Sequence, residues 1–251
     1  MAILIDPPLW PAHGTVWSHL VSDTSADELH AFARRLQLPR RSFDLDHYDV
    51  PASRHAAAVA LGAHAVGSRD VVHRLRASGL RVRQAERAAA RPVFRRRYLD
   101  AEWAGLGAVL ETAIARTPGG SARPRSGHAS GRFDRSGWLD LGDALIARWN
   151  EPHRSYHDER HLEDVLLALD HLTMRGERPG TATLLAAWFH DAVYTGAAGD
   201  DERASAEFAV HALSATGVDR SLAQQVGALV LATVPAGTAG TAEPARAASA
   251  R

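Results

Sequence analysis

The 251-residue sequence contains no cysteine and no lysine, so all 29 of its basic residues are arginine. The absence of cysteine excludes disulfides, iron–sulfur clusters, thiolate zinc sites and a cysteine nucleophile. The absence of lysine excludes Schiff-base chemistry and the lysine of a phosphate-binding P-loop. Any protein-held metal ion must therefore be bound by histidine, aspartate or glutamate.

Long apolar runs are also missing, since no stretch approaches the length of a membrane span. The first residues, Met1–Asp6, lack the basic start and the long apolar core of a signal peptide. These absences predict a cytoplasmic protein that makes no contact with a membrane. The hydrophobic content of 45% is typical of a globular chain, and 251 residues suffice for two domains.

The net charge of zero conceals an asymmetry between the two halves of the chain. Residues 1–130 carry 18 arginines against 12 acidic residues, a net charge of +6, whereas residues 131–251 carry 11 against 17, a net charge of −6. This split favours two modules. The arginines are scattered over predicted helix surfaces, so nucleic-acid binding is not indicated.

Strands alternate with helices in residues 1–92, which predicts a small α/β layer domain. Ala2–Ile5 is predicted to be a buried strand with Asp6 at its carboxyl end, where ligands bind in α/β sheets. A loop is predicted from Trp10 to Asp23. The other predicted elements are a helix after the capping box Ser25–Glu28, helices over Ala52–Leu61 and from Ser68 to Gly79, and strands at Arg41–Asp44 and Ala65–Val66.

Acidic and histidine residues of this domain are candidates for a second metal or acid–base site: Asp6, His13, His19, Asp23, Asp44, Asp46, His47 and Asp49. Aspartate is also common in turns, so a purely structural role stays open. The segments Ile3–Gly14, Ser18–Asp23 and Asp46–Pro51 resemble the domain-of-unknown-function family 4031. This resemblance covers about the first 80 residues and implies no activity.

The middle and the end of the chain differ from both modules in composition. Residues 93–116 are predicted to form a connecting helix, with an apolar stripe over Phe94–Ile114. Residues 117–136 are rich in Gly, Ser, Pro and Arg, which predicts a flexible linker that contains the domain boundary. Residues 233–251 are of low complexity and are predicted to form a disordered tail.

Residues 137–232 show helical periodicity, which predicts an all-helical domain. The helix over Leu184–Phe189 is apolar on all sides and ends in His190 and Asp191. Burying this ionisable doublet costs free energy unless its charges are compensated, and a cation compensates them. The other predicted helices contain Trp138–Trp149, Leu162–Leu172, Phe208–Leu213 and Leu222–Val230.

A second histidine pair precedes this doublet in the chain. His157 and His161 lie four residues apart, so they share a helix face if the helix has already begun at His157. Nitrogen and carboxylate donors suit first-row metals, so this pair and the doublet His190-Asp191 can converge on one divalent cation. Capping and helix-dipole effects also favour such residues near helix ends, which leaves a structural role open.

The helical module resembles the HD superfamily of metal-dependent phosphohydrolases. The resemblance covers about 95 residues, and the matching segments are Glu151–Arg154, Tyr156–His157, His161, Ala187–Tyr194, Asp201–Arg203 and Ser205–Ala206. It implies an HD-type fold whose metal ligands are His161, His190 and Asp191. It also implies that His157 and Glu202 act with Asp191 in catalysis, as groups that orient the ligands or relay a proton.

The implied reaction is the hydrolysis of a phosphate ester or nucleotide, and the implied partner is a small phosphorylated substrate. The divalent ion would polarise a phosphoryl oxygen and lower the pKa of its water. The sequence does not identify the ion among Mn, Mg, Fe, Co and Zn. The sequence does not indicate the oligomeric state.

The sequence departs from the HD pattern at its end. That family closes its site with an aspartate on a later helix, beyond a segment similar to Leu229–Thr233, whereas the tail here contains no aspartate. We therefore expect a phosphohydrolase impaired by loss of this ligand, through truncation or a frameshift. The alternative is a non-catalytic ligand-binding or interaction protein with a degenerate site. A third reading, hydrolysis by the N-terminal domain, rests on its aspartate and histidine content.

Overall fold

The structure, a computed structural model, describes residues 2–116 and 133–234. Most of the predicted linker and most of the predicted tail lie outside these residues. The described chain forms two compact units, residues 2–99 with 163–179 and residues 100–116 with 133–162 and 180–234. Within them, no helix is both long enough and apolar enough to cross a membrane.

The first unit contains a five-stranded mixed sheet. Its strands are β1 (Ile3–Ile5), β2 (Trp10–Ala12), β3 (Thr15–Ser22), β4 (Tyr48–Pro51) and β5 (His64–Ala65). The long strand β3 pairs antiparallel with β1, β2 and β4, and β1 pairs parallel with β5. The predicted buried strand after Ala2 is thereby confirmed.

The predicted loop after Trp10 is wrong, because β2 and β3 form a hairpin there. The two turn residues, His13 and Gly14, have φ angles of 50° and 75°. Two consecutive residues with positive φ are typical of the type I′ turn, whose twist matches that of paired strands. The sequence marks the turn with Gly14, but a histidine at the first turn position does not predict it.

Helices cover both faces of this sheet. Helices α1 (Ala26–Arg35) and α2 (Ala52–Ala60) pack against one face and α3 (Ser68–Ala77) against the other. Successive side chains of β1 point to opposite faces of the sheet: Ile3 and Ile5 belong to the core with α1 and α2, whereas Leu4 belongs to the core with α3. A small α/β fold is therefore confirmed for this region.

The predicted strand at Arg41–Asp44 is wrong. Residues Arg40–Ser42 form a 3₁₀ turn, and Phe43 makes an isolated bridge to Tyr48. The N–H groups of Ser42 and Phe43 donate to the carbonyls of Pro39 and Arg40, so they are not available to a neighbouring strand.

Among the described residues, every regular element after Glu86 is a helix. These helices are α4 (Arg87–Arg116), α5 (Arg135–Trp149), α6 (Glu159–Met174), α7 (Thr181–Phe189), α8 (Asp200–Ala215) and α9 (Arg220–Leu231). The predicted connecting helix thus begins six residues earlier than expected, with Pro92 inside it. A predominantly helical C-terminal region is confirmed.

The core of the second unit contains two tryptophans that stack on each other. The indole rings of Trp103 and Trp138 lie 4.1 Å apart at 5°, and each indole N–H donates to the other residue's carbonyl. Gly107 and Gly142 make room for this pair, because a Cβ at either position would lie under 3 Å from an indole atom. The pair therefore fixes how closely α4 and α5 approach.

This packing predicts that Gly107→Ala destabilises the protein although alanine favours a helix. Overpacking against Trp138 should lower the free energy of unfolding by about 1–3 kcal/mol. Gly105→Ala is the matched control on the same helix, where a Cβ meets no atom within 4 Å. The control should gain about 0.5–1 kcal/mol from helix propensity. Urea unfolding followed by tryptophan fluorescence measures both, and equal effects would contradict the packing account.

Candidate metal centre

The candidate side chains lie at the ends of two helices of the second unit. Helix α7 ends at Phe189, so His190 and Asp191 directly follow it, and His161 lies in the first turn of α6. Asp158 caps α6 by accepting the backbone N–H of Arg160. The helix therefore begins after His157, and the condition for the predicted shared helix face is not met.

Three donor atoms nevertheless converge from the predicted metal ligands. His161 Nε2 lies 3.2 Å from His190 Nε2, and Asp191 Oδ2 lies 3.3 Å from His190 Nε2 and 3.9 Å from His161 Nε2. The point equidistant from these three atoms is about 2.0 Å from each, which is the usual length of a bond between zinc and nitrogen. The residues present therefore fit a first-row divalent ion.

The two facing imidazoles need a proton or a cation between them. His190 Nδ1 lies 2.9 Å from the carbonyl oxygen of Ala187, which can only accept, so Nδ1 carries the proton. In the neutral ring, Nε2 then presents its lone pair to His161. A backbone carbonyl that fixes the tautomer of an imidazole in this way is the usual support of a metal-binding histidine.

His157 joins this group through the carboxylate of Asp191. Its Nδ1 donates to Asp191 Oδ2 over 2.6 Å, and its ring stacks on Tyr194 with centroids 4.9 Å apart. His157, His161 and Asp191 also offer three donor atoms within 4.8 Å of one another, so His157 is a further candidate ligand. We call His157, His161, His190 and Asp191 the four-residue cluster.

A buried arginine ties the two halves of this cluster together. The side chain of Arg154 is fully buried, and its guanidinium donates to the carbonyl oxygens of His157 at 3.1 Å and Asp191 at 2.8 Å. Glu151 neutralises it with two hydrogen bonds of 3.1 Å to one carboxylate oxygen. The loop before α6 and the end of α7 are therefore held in register by one side chain.

The chain after Asp191 is fixed by buried groups of α8. The hydroxyl of Ser205 pairs with both the N–H and the carbonyl of Val193. Asp201 accepts hydrogen bonds from the backbone N–H groups of Thr195, Gly196 and Ala197 and from the Thr195 hydroxyl. Burial raises the pKa of Asp201, but these hydrogen bonds outweigh it and hold the pKa below its usual value.

The remaining predicted residue, Glu202, does not contact the cluster. Its carboxylate accepts the backbone N–H of Gly199 and so caps the start of its own helix. No role was predicted for Arg154, Asp201 or Ser205, although each falls in a segment that resembles the HD pattern. Two features of the sequence could have identified these residues: the acidic residues at the start of α8, and the position of Arg154 three residues before His157.

A second group of candidates comes together in the first unit. His19, His47 and Asp49 offer three donor atoms within 4.8 Å of one another. Asp6 and Asp46 lie beside them, whereas Asp23 pairs with Arg74 and Asp44 with Arg91. Burial lowers the pKa of His47, but Asp46 and Asp49 outweigh it and raise the pKa to about 9.

We predict that Asp201→Asn destabilises the protein at neutral pH by about 1–3 kcal/mol, because charged hydrogen bonds to four donors are lost. Asp200→Asn, at the exposed first position of the same helix, loses the same helix-dipole interaction and should change stability by less than about 0.5 kcal/mol.

The two variants should also differ in their response to acid. The folded pKa of Asp201 lies below the unfolded value of about 3.9, so its stabilisation is complete above that pH and is lost as pH falls through the folded pKa. The difference in the free energy of unfolding between wild type and Asp201→Asn should therefore shrink below about pH 4. Denaturant midpoints at several pH values measure it, and a constant gap would contradict this role.

Comparison with known families gives a match in the first unit. A family model described as "Protein of unknown function (DUF4031)" matches residues 3–78. No family match confirms the resemblance of the helical region to the HD superfamily. Neither a curated protein nor a solved structure matches the chain. The sequence is thus similar to a family of unknown function over β1 to α3.

Proposed function

We propose that the helical region is a metal-dependent phosphohydrolase of the HD type that acts on a phosphate ester or nucleotide. The observation that carries this proposal is the convergence of His161, His190 and Asp191, whose donor atoms share a point about 2.0 Å from each. The proposed reaction class rests on the resemblance of the same residues to the HD pattern.

These three residues would hold the ion, and Asp191 would contribute through Oδ2. A divalent ion there supplies Lewis acidity toward a phosphoryl oxygen. Three protein donors with an open side are typical of catalytic rather than structural zinc sites. The printed residues after Thr233 contain no aspartate, so the proposal rests on these three donors.

His157 is the group that handles protons in this proposal. Because its Nδ1 donates to Asp191, the neutral ring presents Nε2 as a base, and the side chain is 34% exposed and can reach substrate. Arg154 positions this imidazole by binding the backbone carbonyl of His157. The role proposed for Glu202 is limited to capping the start of α8 through the backbone N–H of Gly199.

A non-catalytic binding protein is the second candidate. The short hydrogen bond between His157 and Asp191 favours it, because the carboxylate oxygen that would bind the ion already accepts a hydrogen bond from this imidazole. A protein of this kind would bind a ligand or a partner through a degenerate site and would not hydrolyse phosphate esters, whether or not it holds a divalent ion. Metal content and activity must therefore be measured separately.

We predict that purified protein binds a stoichiometric divalent ion at the four-residue cluster and hydrolyses p-nitrophenyl phosphate or a nucleoside monophosphate with Mn²⁺ or Mg²⁺. His190→Ala and Asp191→Ala should each lower activity by at least about 100-fold, because each removes a donor atom. His157→Ala should lower kcat while metal is retained. His211→Ala, at an exposed position of α8, is the matched control and should behave as wild type.

Three outcomes separate the candidates. Metal binding at the cluster without activity supports the non-catalytic protein. Activity that survives both His190→Ala and Asp191→Ala moves the chemistry to the first unit. A protein that binds no metal at His161, His190 and Asp191 contradicts the proposed function.

A further inference from the structure

A row of polar side chains crosses the sheet of the first unit on one face. His19 on β3 lies directly opposite Asp49 on β4. The pairing of β1 with β3 extends to Asp6, whose N–H donates to the His19 carbonyl. His47 precedes Asp49 by two residues, so both project from the same face. Tyr48 and Val50 point the other way, into the core with α1 and α2.

Both histidines of this row are oriented by buried carboxylates. Asp6, with a side chain 1% exposed, accepts from His19 Nδ1 over 3.1 Å and from the His19 backbone N–H. Asp46, with a fully buried side chain, accepts from His47 Nδ1 over 2.7 Å. In its neutral form each imidazole therefore presents Nε2 as its remaining donor atom, as in carboxylate–histidine–metal arrangements. At neutral pH a metal ion must displace the Nε2 proton of His47, because Asp46 and Asp49 outweigh burial and raise the pKa of that ring.

The two carboxylates are themselves held by other groups. Asp46 accepts the N–H of Val82 at 2.7 Å and the guanidinium of Arg81 at 3.2 Å. Asp6 accepts the indole N–H of Trp10 at 3.3 Å. Burial raises the pKa of both Asp6 and Asp46, but their hydrogen bonds with histidine outweigh it and keep each pKa low. These hydrogen bonds therefore hold the carboxylates of Asp6 and Asp46 against their imidazoles.

Asp49 is the third donor residue, and it lies on the solvent-exposed side of the two histidines. Asp49 Oδ1 lies 3.5 Å from His47 Nε2, close to the separation of about 3.0–3.4 Å expected for neighbouring ligands with bonds of about 2.1 Å. Its side chain is 45% exposed, whereas those of His19 and His47 are 29% and 14% exposed. Water or a small ligand can therefore reach the point where the donors meet.

We propose that His19, His47 and Asp49 bind a divalent transition metal ion, with Asp6 and Asp46 as positioning residues. Two imidazoles and one carboxylate suit Zn²⁺, Fe²⁺ or Co²⁺ better than Mg²⁺ or Ca²⁺, which prefer oxygen ligands. This site is independent of the four-residue cluster, since it is formed by a different unit and a different set of side chains. The proposed site gives residues 3–78 a specific property to test, the binding of a divalent metal ion.

Co²⁺ titration of the full chain tests this site, with His161→Ala/His190→Ala as the background that removes the other cluster. The background variant should bind one equivalent of Co²⁺ with visible absorption, and Zn²⁺ should displace it. Adding His47→Gln should abolish binding, and adding Asp49→Asn should weaken it at least about 10-fold. His73→Gln, at an exposed position of α3, is the control and should leave binding unchanged.

Circular dichroism distinguishes loss of the site from loss of the fold. A background variant that is folded but binds no Co²⁺ or Zn²⁺ overturns the proposal. Binding that persists after both His19→Gln and His47→Gln overturns it as well. The result is independent of phosphatase activity, which is proposed for the other unit.

Discussion

The cluster in the second unit depends on one buried charge, the guanidinium of Arg154. An arginine cannot lose its proton, so a fully buried guanidinium must find an acceptor for its donors and an anion for its charge. Glu151 supplies the anion, and the backbone carbonyls of His157, Asp191 and Ala192 supply further acceptors. Satisfying Arg154 therefore forces the loop before α6 and the end of α7 into contact, which brings the imidazoles to Asp191.

The two units orient their histidines by the same physical means. A backbone carbonyl fixes Nδ1 of His190, and buried carboxylates fix Nδ1 of His19 and His47. In each case the other nitrogen faces further donors at separations that suit a cation. The supports differ: hydrogen bonds at a helix end hold one group, and paired strands hold the other. Neither arrangement needs cysteine or lysine, which the sequence lacks.

Sequence periodicity predicted the helices of the second unit and the short strand before Asp6, because both follow from which residues are apolar. Predicted helix ends make the pair His157/His161 and the doublet His190-Asp191 candidates for one cation site, and the resemblance to the HD superfamily then selects His161, His190 and Asp191 as the ligands. Periodicity failed where turn geometry and local hydrogen bonds decide the conformation. The His13-Gly14 turn has the glycine that is typical of its turn type, but histidine is not typical of the other position. The backbone N–H groups of Ser42 and Phe43 donate to nearby carbonyls and do not pair with a strand. The resemblance to the HD superfamily also selects Glu202, whose carboxylate caps the start of its own helix in the structure, because an acidic residue at a helix start can serve either as a cap or as a site residue.

The central claim is that His161 Nε2, His190 Nε2 and Asp191 Oδ2 bind a single ion. Anomalous diffraction from crystals soaked in Zn²⁺ or Co²⁺ tests this claim most directly, because it locates the ion without reference to activity. We predict a peak about 2.0–2.2 Å from all three atoms, with His157 hydrogen-bonded to Asp191 or recruited as a fourth ligand. A soaked crystal with no peak at this point, and with His190 hydrogen-bonded to His161 in its place, would contradict the account.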